Sequence, residues 1–200
     1  MPGTTVPAWI GRTIGEREAV LSTRYARLLV LVALGLPLAI GLAGCGVADM
    51  VEETFTQEKD VPPGASMTGE ERAQAIMVAQ MANELRAANG LEPLIWDEIA
   101  ADAAYDHAVD MRLRNFYAHN NPDGLTPLDR MQRAGVDMLY FGGENIARHN
   151  KGPREVMDAW INSPSHLRVL LGPGLTHIGV GVHLGKGGPW WVQEFYVRGE

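Results

Sequence analysis

Gly142-Gly143-Glu144-Asn145-Ile146-Ala147 decides how the rest of the chain reads. A carboxylate sits there between two glycines and an Asn-Ile-Ala run, directly after Met138-Leu139-Tyr140-Phe141. The preceding flank reads as a buried or half-buried strand. An ionised glutamate in such a place is costly unless something pairs with it. Two histidines are candidates. His119 precedes it in Tyr117-Ala118-His119-Asn120-Asn121, within a loop running from Phe116 to Gly124. His166 follows it in Asn162-Ser163-Pro164-Ser165-His166. The expectation is that these three side chains meet in one cleft.

Moving outward, the C-terminal segments are β in character. Ile178-Gly-Val-Gly-Val-His183 and Trp190-Trp-Val-Gln-Glu-Phe-Tyr-Val197 flank the glycine-rich Gly185-Lys186-Gly187-Gly188, the pattern of a hairpin. Alternation along the second strand puts Trp190 and Trp191 on opposite faces, so that one of them is available to line a groove. Upstream, Thr68-Gly-Glu-Glu71 has the capping-box pattern and opens a helix carrying Met77, Met81, Leu85 and Ala88, stopped at Asn89-Gly90. Asp97 caps a second helix with the stripe Ile99, Ala103, His107, Met111. On that stripe His107 reads as a hydrogen-bonded core residue. Asn121-Pro-Asp-Gly124 is a turn, and the turn alone accounts for Asp123. Thr126-Pro127 starts a short helix closed by Gly135, a Val136–Phe141 strand follows, and Pro153 and Pro164 open two further helices. His149, His177 and His183 read as surface or strand positions. Helices first and a terminal strand pair describe an α+β domain with helices on both faces of its sheet.

The first 66 residues are different. Residues 1–27 are polar, with Arg12, Arg17, Arg24 and Arg27 against only Glu16 and Glu18. Leu28 to Gly44 is then an almost unbroken apolar run ending at Cys45, which matches an export signal. Leu42-Ala43-Gly44-Cys45 resembles a bacterial lipobox. That resemblance implies cleavage before Cys45 and acyl chains, palmitate among them, on its sulfur and new amino group; two or more such chains hold a protein firmly on a membrane. The expected organisation is a signal peptide over 1–44, a lipidated cysteine and linker over 45–66, and a folded domain over 67–200. The expected location is extracytoplasmic, tethered at the cell membrane. With one cysteine there is no intrachain disulfide, so the domain stands on its core. A net charge of -7 and the lack of a basic, aromatic-studded patch exclude nucleic acid as an expected partner.

A set of motifs in fixed order carries a wider resemblance: Asn83-Glu-Leu-Arg-Ala-Ala-Asn-Gly-Leu91, His107-Ala-Val-Asp-Met111, Phe116-Tyr-Ala-His119, Gly143-Glu-Asn-Ile-Ala147, Trp160-Ile-Asn-Ser-Pro-Ser-His166 and Ile178-Gly-Val-Gly-Val182. Together they resemble bacterial CAP-domain (SCP-like extracellular) proteins, from about Ala75 to Val197. The resemblance implies an α-β-α sandwich around a mostly antiparallel sheet and a cleft with two histidines and two acidic residues. His119, Glu144 and His166 match three of them. The second glutamate, expected shortly after the helix tryptophan, has no match; Asn162 and Ser163 stand there. The family also implies a binding module for sterols, fatty acids or envelope components.

Two imidazoles beside a carboxylate also have the chemistry to hold a divalent metal such as zinc, with His119 and His166 as ligands and Glu144 as third ligand or as base for a metal-bound water. An extracellular metal-dependent hydrolase using Glu144 as general base is therefore the alternative to a binding module, and a structural envelope protein is the third class. Ser163 and Ser165 lie near His166 without an orienting third member at useful spacing.

Overall fold

A computed structural model describes Thr5 and residues 66–199. The export signal, Cys45 and nearly all of the linker expected from the sequence lie outside the described residues.

Helix α1 (Gly69–Ala88) opens on the expected capping box, in which Thr68 Oγ1 accepts from the Glu71 amide and Glu71 accepts from the Thr68 amide. A two-residue strand β1 (Ile95–Trp96) leads into α2 (Glu98–Leu113), whose N-cap Asp97 accepts from Ala100 N. The short α3 (Pro127–Arg133) has a second reciprocal cap, between Thr126 and Asp129. Strand β2 (Met138–Arg148) follows, then α4 (Pro153–Ile161), α5 (Pro164–Leu170), β3 (His177–His183) and β4 (Trp190–Arg198).

The sheet order is β1-β3-β4-β2. Only the β1–β3 pair is parallel; β3–β4 and β4–β2 are antiparallel. The α+β class and the helix-sheet-helix layering read from the sequence both hold. One face of the sheet packs on α2, where Ala104, Ala108 and Met111 meet Ile146, Trp190 and Val192. On the other face α4 sends Trp160 Nε1–H to the Ile146 carbonyl and Met157 against Gln193.

Why α2 lies so close follows from two glycines. A Cβ at Gly179 would stand 2.4 Å from the Ala100 carbonyl carbon, and one at Gly181 2.1 Å from Tyr105 N. Glycines on β3 and alanines on α2 remove the side chains that normally separate a helix from a sheet. The buried face of α2 is therefore a broad band of small residues, Ala100, Ala101, Ala103, Ala104 and Ala108, around Tyr105, His107, Val109 and Met111. This corrects the stripe read from periodicity: Ile99 is 44% exposed, and on α1 Met77 is 50% exposed while Ala75, Val78, Ala79 and Ala82 face inward. Large residues marked the expected face, whereas close packing selected the small ones.

Two other expectations are revised. The glutamate stretch does not follow a separate strand; β2 runs through it, with register shifts between Met138 and Tyr140 and between Phe141 and Gly143. The start of β2 leaves Leu139 and Tyr140 exposed rather than buried. His177 and His183 are strand residues as expected, yet both are buried, with His183 Nδ1 3.3 Å from Glu71 Oε1 and His177 Nδ1 2.8 Å from Thr176 Oγ1. Trp190 and Trp191 do take opposite faces, and both belong to the core instead of an open groove.

Candidate functional site

Alternation along β2 distributes the deciding stretch between the two faces. Glu144 and Ile146 point to the α2 and α3 side, and Asn145 and Ala147 to the α4 and α5 side. The two glycines that precede Glu144 leave room for their neighbours, and Gly143 also takes a backbone conformation that side chains rarely adopt. Gly143 has φ +143°, and a Cβ there would meet Val169 Cγ1 at 2.9 Å; at Gly142 it would meet Leu175 Cδ2 at 2.2 Å. Asn145 ties the strand to the neighbouring helix, donating 3.3 Å bonds to the His166 carbonyl and to Gln193 Oε1.

Glu144 is buried, with 1% of its side chain exposed, and both carboxylate oxygens are engaged. His119 Nδ1–H donates to Oε1 at 2.6 Å. Arg130 Nη2, from α3, donates to Oε2 at 2.5 Å. Burial alone would raise the Glu144 pKa, but the His119 bond and the Arg130 charge hold it below the usual carboxylate range. In return, the bond to Glu144 raises the His119 pKa above its ordinary value. Because the carboxylate only accepts, this bond fixes the proton on Nδ1 and leaves Nε2 as the variable edge of a half-exposed ring.

His119 and Glu144 thus meet as the sequence implied. The partner on the second oxygen is Arg130 rather than His166. His166 stands close enough to His119 to feel its charge; burial, and then that charge, lower the His166 pKa, so its ring is the more readily neutral of the two. Arg130 was not legible as a site residue. It lies on a seven-residue helix, and only the fold brings that helix to β2. There its guanidinium also ties the His119 carbonyl, at 2.7 Å, and the Leu125 carbonyl, at 3.3 Å.

A second acidic residue is present too, from an element the motif reading did not consider. Glu194 on β4 is the cross-strand partner of Glu144 and is completely buried. Its Oε1 lies 3.7 Å from Arg130 Nη2. At the position where the resemblance looked for a glutamate, Asn162 Nδ2 instead donates to the Asp158 carbonyl. The signal for Glu194 was an acid at a position where strand alternation points inward, Val192-Gln193-Glu194-Phe195.

As a metal centre the donor set is thin. Zinc takes three or four protein ligands, and among the described residues no group of three or more His, Cys, Asp or Glu side chains is placed to hold an ion. With both Glu144 oxygens engaged, what remains for a metal is the imidazole pair His119 and His166. These residues do not fit a protein-enclosed zinc site. Nor do the serines form a nucleophile: Ser163 Oγ and Ser165 Oγ bond each other at 3.1 Å. His107 is the buried, bonded core residue expected, its Nε2–H donating to the Ala118 carbonyl at 3.1 Å and burial lowering its pKa to about 4. Asp123 is accounted for by its turn and by an ion pair with Arg114 at 2.7 Å.

Beside the cleft a cavity of about 460 Å³ opens between α2, α3 and the 121–125 loop. Ala103, Val109, Leu113 and Leu125 contribute its apolar wall, and Arg130 belongs to both the cavity lining and the Glu144 cluster.

The family model described as CAP, cysteine-rich secretory protein family, matches residues 79–195. The uncharacterized protein YkwD of Bacillus subtilis (strain 168) is 38% identical over 118 residues, 59% of this chain and 45% of that protein. The uncharacterized membrane protein YlbC of the same strain is 33% identical over 121 residues, 60% of this chain and 34% of its own. The match therefore spans less than half the length of either relative. Among solved structures, an extracellular protein containing a SCP domain from Bacillus anthracis str. Ames superposes with a TM-score of 0.61 at 29% identity, over 67% of this chain and 45% of that one. An outer surface protein from Borrelia burgdorferi shares the fold, with a TM-score of 0.58 at 24% identity, over 67% of this chain and 97% of that one.

Proposed function

The chain belongs to the cysteine-rich secretory protein (CAP) family, and from that membership we propose that it is an exported binding module, tethered to the cell membrane through Cys45, that takes a lipid or other small hydrophobic ligand of the envelope. The observation that carries this reading is the cavity beside Arg130. Its volume of about 460 Å³ lies within the range of roughly 300–1,000 Å³ that small-molecule sites occupy, and a mostly apolar surface with some polar groups is their usual composition. Arg130, which the Glu144 cluster shares with the cavity and whose cation is held in place by three acceptors, is one of its polar lining groups, with Asp106, His107, Asp110, Asn121 and Arg133. The extracellular placement of the Bacillus anthracis relative supports the same location for this domain, and among the described residues no helix is long and apolar enough to cross a membrane.

The test titrates the purified full-length chain with a fluorescent long-chain fatty acid. Saturable binding is expected, weakened about tenfold by Leu125→Asp, since a charge on the apolar wall forfeits at least ~1.4 kcal/mol of burial. No saturable binding, or equal binding by the variant, contradicts the reading. Zinc titration of the parent, His119→Ala and His166→Ala chains decides the metal, because equal affinity in all three removes it. Ester hydrolysis by the parent that disappears in Glu144→Gln would favour the hydrolase instead.

A further inference from the structure

The Glu144 cluster contains two buried carboxyl groups and one guanidinium, and the charges do not balance if both acids are ionised. Across β2, Glu194 faces Glu144. From α3, Arg130 approaches to 3.7 Å but spends its short bond on Glu144, at 2.5 Å. On β3 its neighbour is Gly179, which has no side chain to offer. His107 on α2 and His119 on the loop act on Glu144, and His107 is neutral at ordinary pH. Among the described residues neither Glu194 oxygen receives a hydrogen bond from any N–H or from a hydroxyl group. An ionised carboxylate that receives no donor is among the most costly groups a protein interior can hold. A protonated one opposite a carboxylate instead becomes a donor.

We propose that Glu144 and Glu194 hold one proton between them, and that Glu194 carries it as a neutral acid, positioning the Glu144 charge toward His119 and Arg130. Burial, and next the Glu144 charge, both push the Glu194 pKa well above the carboxylate range, in keeping with this geometry. The arrangement has a consequence for recognition. Glu144 and Arg130 cancel and Glu194 is uncharged, so the charge of the cluster is that of His119, whose pKa the Glu144 bond raises. The floor of the cleft then carries no net negative charge, although the chain as a whole is at -7.

The experiment follows thermal unfolding of the full-length chain and of Glu194→Gln from pH 4 to pH 9, with infrared spectra of both at neutral pH. An acid whose folded pKa is raised loses stability as pH rises from the unfolded value toward the folded one. Glu194→Gln removes that loss. The ratio of its folding constant to the parent's is therefore expected to climb with pH, by up to about tenfold per pH unit above ~4.3, and to level off in acid. The parent is also expected to show a protonated-carboxyl C=O band at pH 7 that the variant lacks. The opposite pattern overturns the proposal: Glu194→Gln less stable at neutral pH, the deficit vanishing in acid, describes an ionised Glu194 paired with Arg130. Should the variant not fold, the parent spectrum decides alone, since a carboxyl band persisting at pH 7 supports the shared proton and its absence refutes it.

Discussion

Replacing Arg130 by Met would leave Glu144 and Glu194 facing each other in the interior with no cation between them. Arg130 has only 10% of its side chain exposed, and removing one member of a buried pair costs on the order of 3–5 kcal/mol. Chemical denaturation at pH 7 should show a loss of that size, part of it recovered in acid as Glu144 takes up a proton. His119 behaves with the opposite sign. Its raised pKa means that its bond to Glu144 contributes fully below the ordinary 6.5 and fades as pH rises through the folded value. The stability gap between parent and His119→Ala should therefore be widest in mild acid and narrow in base; a gap that widens with pH would contradict the assignment. Glu144 and His119 were legible because an acid in an apolar strand needs a partner. Arg130 and Glu194 were not, because nothing local says that a short helix and a distant strand converge on the same carboxylate.

At the level of elements, the contact of α2 with β3 depends on positions that have no side chain. Gly181→Ala would drive a methyl group into the Tyr105 backbone, and overpacking of this kind costs about 1–3 kcal/mol or more. Equilibrium unfolding should show that loss without any loss of helix content; an unchanged midpoint would mean that α2 does not seat where described. The cap of α1 makes a pH prediction. Burial would raise the Glu71 pKa, but His183 and the Leu184 and Thr68 amides outweigh it and hold it at about 2. The stability this acid contributes is present above the ordinary 4.5 and is lost as pH falls toward 2. Glu71→Gln should cost most at neutral pH and least near the bottom of that range. Caps, prolines at helix starts and the terminal hairpin were readable because each is a local signal. The buried faces of α1 and α2 were misread in part, since helical period marks where large residues recur and not where a glycine-lined strand admits alanines. Strand β1 was not legible, because two residues carry no period.

Over the whole molecule, order of motifs was the strongest signal, and the family fold followed from it. Cys45 lies outside the described residues, yet it makes the widest prediction. Cys45→Ser should move the domain from the membrane to the soluble fraction on fractionation, and unchanged retention would mean an uncleaved helix as the anchor. What remained illegible at this scale is the cavity beside Arg130, whose lining is drawn from α2, the 121–125 loop and α3. Its existence depends on how those elements tilt, which no motif encodes. At the centre of the cleft is one contact, the His119 ring held by a buried, ionised Glu144. An NMR titration of the His119 imidazole in the parent and in Glu144→Gln measures it directly. A pKa above 6.5 in the parent that falls to or below that value in the variant is the expected result; the same pKa in both chains would contradict it.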